Sequence, residues 1–394
     1  MARNGSGVYS LPVSYLATTG EDITATQHNV PLEDILAVLN TARPVSVGGT
    51  GQTTIPLMRT AFSLYSQTEI DAKIFDVAWS GNQIINGNFD VWQEGTSFTA
   101  TGFTADLWYM RLGSGTAITA TRETFTLGQT DIPGNPEHHI KLVRSTAGSS
   151  ATRLTQAIEG VEKFSGVECT VVFWAYANAA TDVKTSLIQG FGTTGSPSAD
   201  VQSAQTTHSL TTTKTKFTHK LTPASVSGKT LGTDGNDYLA LDFEWSETSN
   251  ATGTIYISRV SIIEGDAEST PDPFPSENEA DRLLACQRHF EKSYDTGVAP
   301  GTVSDPGRTS GVASSTNISD CVNFKVLKRG APAITLPSPV TGNAPRIRDY
   351  TTGNDLTTST AASIGYSGFR YFASITSGSI YGVHWTADSR IIPT

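Results

Sequence analysis

From Asn82 to about Gly265 the chain is a series of short runs in which apolar and polar positions alternate. The pattern is clearest from Tyr238 to Trp245. Leu239, Leu241, Phe243 and Trp245 fall on one face there, and Asp242 and Glu244 on the other. A period of two predicts a strand with one buried face, and makes Asp242 and Glu244 solvated charges on the outer one. The runs Thr170 to Tyr176 and Gly253 to Ile262 predict two more strands. Turn formers such as Asp234-Gly235-Asn236 separate the runs. Roughly 180 residues of this kind predict a two-sheet antiparallel jelly roll.

Outside this region the period changes. Residues 1–30 alternate weakly and read as extended. Leu32, Ile35, Leu36 and Leu39 then form one helical stripe behind Pro31, and Pro44 stops it. The segment Val45 to Thr54 is rich in glycine, but no Lys-Ser or Lys-Thr follows its last glycine. It is therefore a joint rather than a phosphate-cradling loop. Between Pro56 and Val77, Leu57, Ala61 and Leu64 share a seam, as do Ile70, Ile74 and Val77, with one slip near Ser66-Gln67. So narrow a seam asks for a partner, either a neighbouring domain or the other helices of a coiled-coil neck. Under the second reading Leu57, Leu64, Ile70, Ile74 and Val77 form an oligomer interface.

Pro271, Pro273 and Pro275 mark a linker, and a helix follows with Leu283, Cys286, Gln287 and Phe290 on its buried face. After Tyr294 short β-runs return, among them Val322 to Leu327 and Phe369 to Ile375, which predict a smaller terminal β-domain. The expected fold class is mainly β: a jelly-roll sandwich and a smaller C-terminal β-domain, with short neck and linker helices. The expected segments are 1–44, 45–81, 82–265, 266–294 and 295–394.

Composition narrows the function. Lys and Arg number 27 against 37 Asp and Glu, so the net charge is 27 − 37 = −10. This argues against nucleic acid as a partner, because phosphate affinity comes from clustered cations. Six Trp, 12 Tyr and 16 Phe supply a core and argue against disorder. Cys169, Cys286 and Cys321 form no metal knuckle and no disulfide framework, and read as buried thiols of a chain made in a reducing cytoplasm. No apolar core of signal-peptide length opens the chain, and no run of about 20 apolar residues crosses a bilayer. The expectation is a soluble protein.

Nothing in the sequence assembles a catalytic motif, and the expectation is that the chain is not an enzyme. Asp106, Asp242 and Glu244 have no spacing that makes them a glycosidase pair. His138 and His139 are strand neighbours that point to opposite faces and chelate poorly. Sugar binding asks for less: a flat aromatic face and a few polar groups. Trp92, Trp108 and Trp245 sit in apolar patterns that suit a core. Trp174 and Tyr176 share the strand face opposite Phe173, which makes them the candidate glycan-binding or interfacial pair.

Four stretches carry a family resemblance. Asn86-Gly87-Asn88-Phe89-Asp90-Val91-Trp92-Gln93-Glu94-Gly95 with Thr104 to Trp108 resembles the opening of the carbohydrate-binding-module-like jelly roll of bacteriophage tail fibres. The helix from Arg282 to Tyr294, containing Cys286-Gln287-Arg288, is similar to one that follows that domain, with Arg282 and His289 as departures. The stretch Val383 to Ser389 and the segment Arg3 to Pro12 are similar to other parts of the family.

The resemblance implies a homotrimeric virion protein. It attaches to tail, baseplate or collar proteins through residues 1–44, and contacts host glycan or another outer-membrane component through its distal β-domains. Two alternatives stay open: a collar or baseplate-edge fibre that binds no receptor, and a glycan depolymerase. Related modules hold a structural calcium partly through an acid in the final strand. Arg259 stands there in this chain, so the expectation is no cofactor and no metal.

Overall fold

The computed structural model describes residues 81–393 except 249–251, 270, 271, 273 and 275–277. Residues 1–44 and the neck seam of Leu57, Leu64, Ile70, Ile74 and Val77 lie outside the described residues.

The first thirteen strands are β1 (Ser97–Phe98), β2 (Gly102–Phe103), β3 (Trp108–Arg111), β4 (Ala117–Thr124), β5 (His138–Thr146), β6 (Thr152–Glu159) and β7 (Cys169–Ala177). They continue as β8 (Thr181–Gly190), β9 (Val201–Gln202), β10 (Thr206–Leu210), β11 (Thr215–Leu221), β12 (Tyr238–Trp245) and β13 (Gly253–Glu264). They form two antiparallel sheets. One has six strands in the order β1-β4-β5-β13-β7-β11, and the other runs β10-β8-β12-β6-β3-β2 with β9 alongside β8. The three strands predicted from alternation are β7, β12 and β13. Their inward positions meet across the sandwich: Phe173 of β7 stands edge-on to Phe243 of β12 at 5.0 Å, and Phe243 reaches Trp108 at 6.1 Å. Trp92, Trp108 and Trp245 are all buried in this core.

The opening motif closes one end of the sandwich. Asn86 takes a left-handed backbone (φ 56°), and its carboxamide binds the backbone of Val91 twice and the carbonyl of Asp106. Gly87 lies against β13, where a Cβ would come within 2.2 Å of the Val260 carbonyl. Val260 N in turn donates to Gly87 O at 3.0 Å. This contact falls at a break in register between Ser258 and Ser261, where β13 bulges against β7. The bulge turns Arg259 into a left-handed conformation (φ 49°) and aims it off the sheet.

The single helix among the described residues, α1 (Glu279–Gln287), starts at an Asn278 cap whose side chain accepts from Asp281 N. It ends before Phe290, which the sequence placed on the helix and which instead opens β14 (Phe290–Lys292). The remaining strands are β15 (Thr309–Val312), β16 (Asn317–Asn323), β17 (Ala333–Thr335), β18 (Ile347–Asp349) and β19 (Asn354–Leu356). The last are β20 (Thr360–Ala362), β21 (Gly368–Ser374), β22 (Ile380–Val383) and β23 (Thr386–Asp388). They make three small sheets around a second core that includes Phe369, Tyr371 and Trp385. The predicted run at 322–327 is displaced, because the strand ends at Asn323 and Lys328 turns inward. Cys321 is exposed, contrary to its sequence reading, since Ile318 and Val322 take the inward positions of β16. Cys169 and Cys286 are buried.

The C-terminal part sits on the sandwich. Arg390 stacks between Phe103 of β2 and Phe290 of β14, at 3.9 and 4.3 Å from their ring centres, and pairs with Glu94 and Asp388. Arg288 forks onto Glu159 with two 2.8 Å bonds. Ile391 packs on Ile188, Tyr238 and Ala240 of the seven-stranded sheet's outer face.

Candidate functional site

The outer face of the six-stranded sheet carries the predicted pair. Trp174 and Tyr176 alternate with the inward Phe173 and Ala175 along β7, and both are partly exposed. Tyr256 stands directly across from Tyr176 on β13. The two rings stack at 4.2 Å and 7°. His139 of β5 extends the strip, 5.5 Å from the Tyr256 ring and 3.4 Å from the Tyr176 hydroxyl. Phe125 packs against His139 at 4.2 Å. Burial holds His139 near pKa 4, so it is neutral, and pushes the Tyr176 phenol up to about 12, so its hydroxyl stays protonated.

Cations flank the strip. Lys214, paired to Asp131 at 2.7 Å, lies 5.9 Å from the centre of the Tyr176 ring, and Lys216 faces Trp174 in the ladder. At its other end the Trp174 indole N–H donates to Asp272 at 3.2 Å. The arrangement presents two stacked phenols and an indole beside donors and acceptors, which is what a sugar ring and its hydroxyls require. Sequence reasoning missed Tyr256 and His139. Alternation along β13, where Tyr256 lies between the inward Ile255 and Ile257, was the available signal.

Asp242 and Glu244 correct their sequence reading. They face outward from β12, yet Asp242 is fully buried and Glu244 nearly so. Arg153 bridges them at 2.7 and 2.6 Å, Thr155 donates to Asp242 at 2.6 Å, and Gln205 donates to Glu244 at 2.9 Å. Neighbouring strands wall in these charges, and burial raises the pKa of Asp242 despite Arg153. The pair is tied into a network instead of standing across an open groove, and the tail around Ile391 covers part of the same face.

His138 and His139 diverge as their strand positions require. His138 turns to Asp90 at 3.1 Å, while His139 joins the aromatic strip. Among the described residues no three His, Cys, Asp or Glu side chains gather around a common point. The Arg259 guanidinium, which the resemblance sets where an acid is expected, pairs with Asp272 at 2.7 Å and lies 4.8 Å from the Phe274 ring centre. Gly134 leaves room for it, since a Cβ there would come within 2.6 Å of Nη1. A fixed cation in this place does not fit calcium.

The described chain is thus a two-sheet β-sandwich with an outward aromatic strip and a smaller β-domain docked on it. No protein-family model matches the chain, and no curated protein matches its sequence. Among solved structures it is similar to a putative sugar binding protein from Bacteroides thetaiotaomicron. Identity there is 15%, over 47% of this chain and 100% of that one, with a TM-score of 0.32. It is also similar to the family 11 carbohydrate-binding module from Clostridium thermocellum in complex with a mixed-linked tetrasaccharide: 10% identity, 43% of this chain, 97% of that one, TM-score 0.28. A third is the enzymatically active domain of bacteriophage CBA120 tailspike protein 4: 17% identity, 48% of this chain, 22% of that one, TM-score 0.29.

Proposed function

We propose that this protein is a structural component of a phage tail, a fibre that engages a host-surface glycan without turning it over. The observation that carries the glycan part is the strip of Trp174, Tyr176 and Tyr256 on the sheet's outer face. The phage part is supported by the opening motif from Asn86 and by the Cys286-Gln287-Arg288 helix. In this reading the fibre is a homotrimer joined along Leu57 to Val77, and residues 1–44 hold the tail. Three weak sugar contacts then act together, which gives firm adsorption from a shallow site.

The test is binding of purified host lipopolysaccharide or capsule to the full chain. A double Trp174→Ala, Tyr176→Ala variant that keeps its circular dichroism should lose binding at least tenfold. Undiminished binding removes the strip from the reading. Light scattering should give three times the 41.8 kDa chain mass, and a monomer at micromolar concentration contradicts the trimer. Release of reducing ends from the polysaccharide would replace binding by hydrolysis.

A further inference from the structure

A cavity of about 960 Å3 opens where the start of the sandwich meets α1 and β14. That is the size of a small-molecule site. Its walls are already paired: Asp90 holds His138 at 3.1 Å and Arg282 at 2.6 Å, and Arg259 holds Asp272 at 2.7 Å. Its buried lining is not. Asn88 is 7% exposed, and its Oδ1 has no hydrogen-bond partner. Gln287, 4% exposed at the end of α1, makes no side-chain hydrogen bond among the described residues. A buried carboxamide oxygen normally finds a partner, so Asn88 Oδ1 marks a place where a ligand supplies one, with the Gln287 carboxamide in the same lining.

Charge points the same way. Lys292 is 5% exposed and lines the cavity. Its ammonium donates to the carbonyls of Gln93 at 2.7 Å and Val298 at 2.6 Å. No carboxylate among the described residues lies within ion-pair distance of it, and one of its three N–H groups is left over. Burial lowers its pKa, and Asp106, Glu94 and Asp295 only partly oppose that. At the mouth, Arg122 and Lys325 are exposed and also lack a carboxylate partner among the described residues. Of the five Arg and Lys in the lining, Arg259 and Arg282 are already paired, to Asp272 and Asp90, which leaves Arg122, Lys292 and Lys325 beside Glu137 and Glu279. A buried, unpaired cation favours an anion beside it.

We propose that this cavity binds a carboxylated saccharide. Its hydroxyls donate to the Asn88 carbonyl oxygen and exchange hydrogen bonds with Gln287, and its carboxylate takes the remaining N–H of Lys292, with Arg122 and Lys325 drawing it in. A simple inorganic anion would satisfy the lysine and leave the Asn88 carbonyl oxygen without a donor. The site stands on its own observations, apart from the aromatic strip.

Calorimetry on the full chain tests it, with trigalacturonate and 3′-sialyllactose as acidic probes, galactotriose and lactose as neutral ones, and inorganic phosphate as the simple anion. At least one acidic sugar should bind at least tenfold more tightly than its neutral counterpart and than phosphate. Gln287→Leu, which removes no hydrogen bond to the protein and keeps a side chain of similar size, should weaken that binding roughly threefold to tenfold with an unchanged melting curve, the range for one neutral hydrogen bond. Lys292→Gln should abolish the preference for acid over neutral sugar. Failure of both acidic probes at millimolar concentration, equal affinity for neutral sugars, phosphate binding as well as the sugars, or an unaffected Gln287→Leu variant would each overturn the proposal.

Discussion

Lys328 and Glu291 form an ion pair at 2.5 Å in which both side chains are enclosed, at 0% and 1% exposure. The ammonium also donates to Gln287 O at 2.5 Å, and the carboxylate accepts from Lys325 N at 3.2 Å. Replacing Lys328 by Met keeps the volume and strands the carboxylate on one backbone amide. Removing one member of a buried pair costs about 3–5 kcal/mol, because the remaining charge has neither partner nor water. The Lys328→Met, Glu291→Leu double variant removes both charges and should recover most of that loss. Urea unfolding measures the midpoint shift at constant slope. Amide exchange in β14, β17 and β23 should report the loss first, since Glu291 lies in β14, which pairs with β23, the central strand of that sheet. The reasoning fails if Lys328→Met costs under about 1 kcal/mol, or if the double variant is as unstable as the two single losses added together.

Stability should fall as pH drops below 6.5. His208 and His219 share the Thr185 hydroxyl at 2.8 and 3.0 Å, and burial holds them near pKa 4 and 3. They are neutral in the fold, whereas the unfolded chain protonates, so their contribution is whole above 6.5 and is lost toward pH 3–4. Asp106, raised to about 6 by burial, has the opposite sign and returns part of the loss between 6 and 3.8. A His208→Gln, His219→Gln variant should flatten the urea midpoint against pH, and an unchanged slope contradicts the assignment. Asn86→Ala removes three hydrogen bonds from the opening motif, one of them fully buried, and should cost about 2–4 kcal/mol by urea unfolding. A thiol reagent should label Cys321 alone in the folded protein, because Cys169 and Cys286 are buried and burial pushes the Cys169 thiol up to about 12; mass spectrometry of the labelled chain checks it.

Strand β12 was legible because its inward and outward positions differ in polarity, while β7 was legible as a β-branched and aromatic run apolar on both faces and β13 as a run rich in β-branched residues. The outward pair Trp174 and Tyr176 was legible from the two-residue period of a strand, which sets them on the face opposite Phe173. Alternation names a face and is silent about what covers it. Asp242 and Glu244 were taken for solvated charges because Arg153, which encloses them, lies about ninety residues earlier in the chain. Cys321 was taken as buried from its residue type, while its neighbours Ile318 and Val322 decided which side of β16 faces in. The cavity was invisible for a related reason. Asn88 belonged to a recognised motif, but Gln287 and Lys292 come to it from some two hundred residues away, through the Phe290 carbonyl that accepts from Gln93 at 2.8 Å.

The stacking of Arg390 between Phe103 and Phe290 bears on how this protein is cut into pieces. A recombinant fragment ending at Gly265 would keep Trp174, Tyr176 and Tyr256 on β7 and β13 and lose only Asp272, the acceptor of the Trp174 indole. The same excision would discard Gln287, Lys292 and Lys325, and with them half of the walls that Asn88 and Gln93 face. The two sites proposed above would therefore part company in the trimmed polypeptide, and a screen run only on the isolated sandwich would test the aromatic strip and be blind to the cavity.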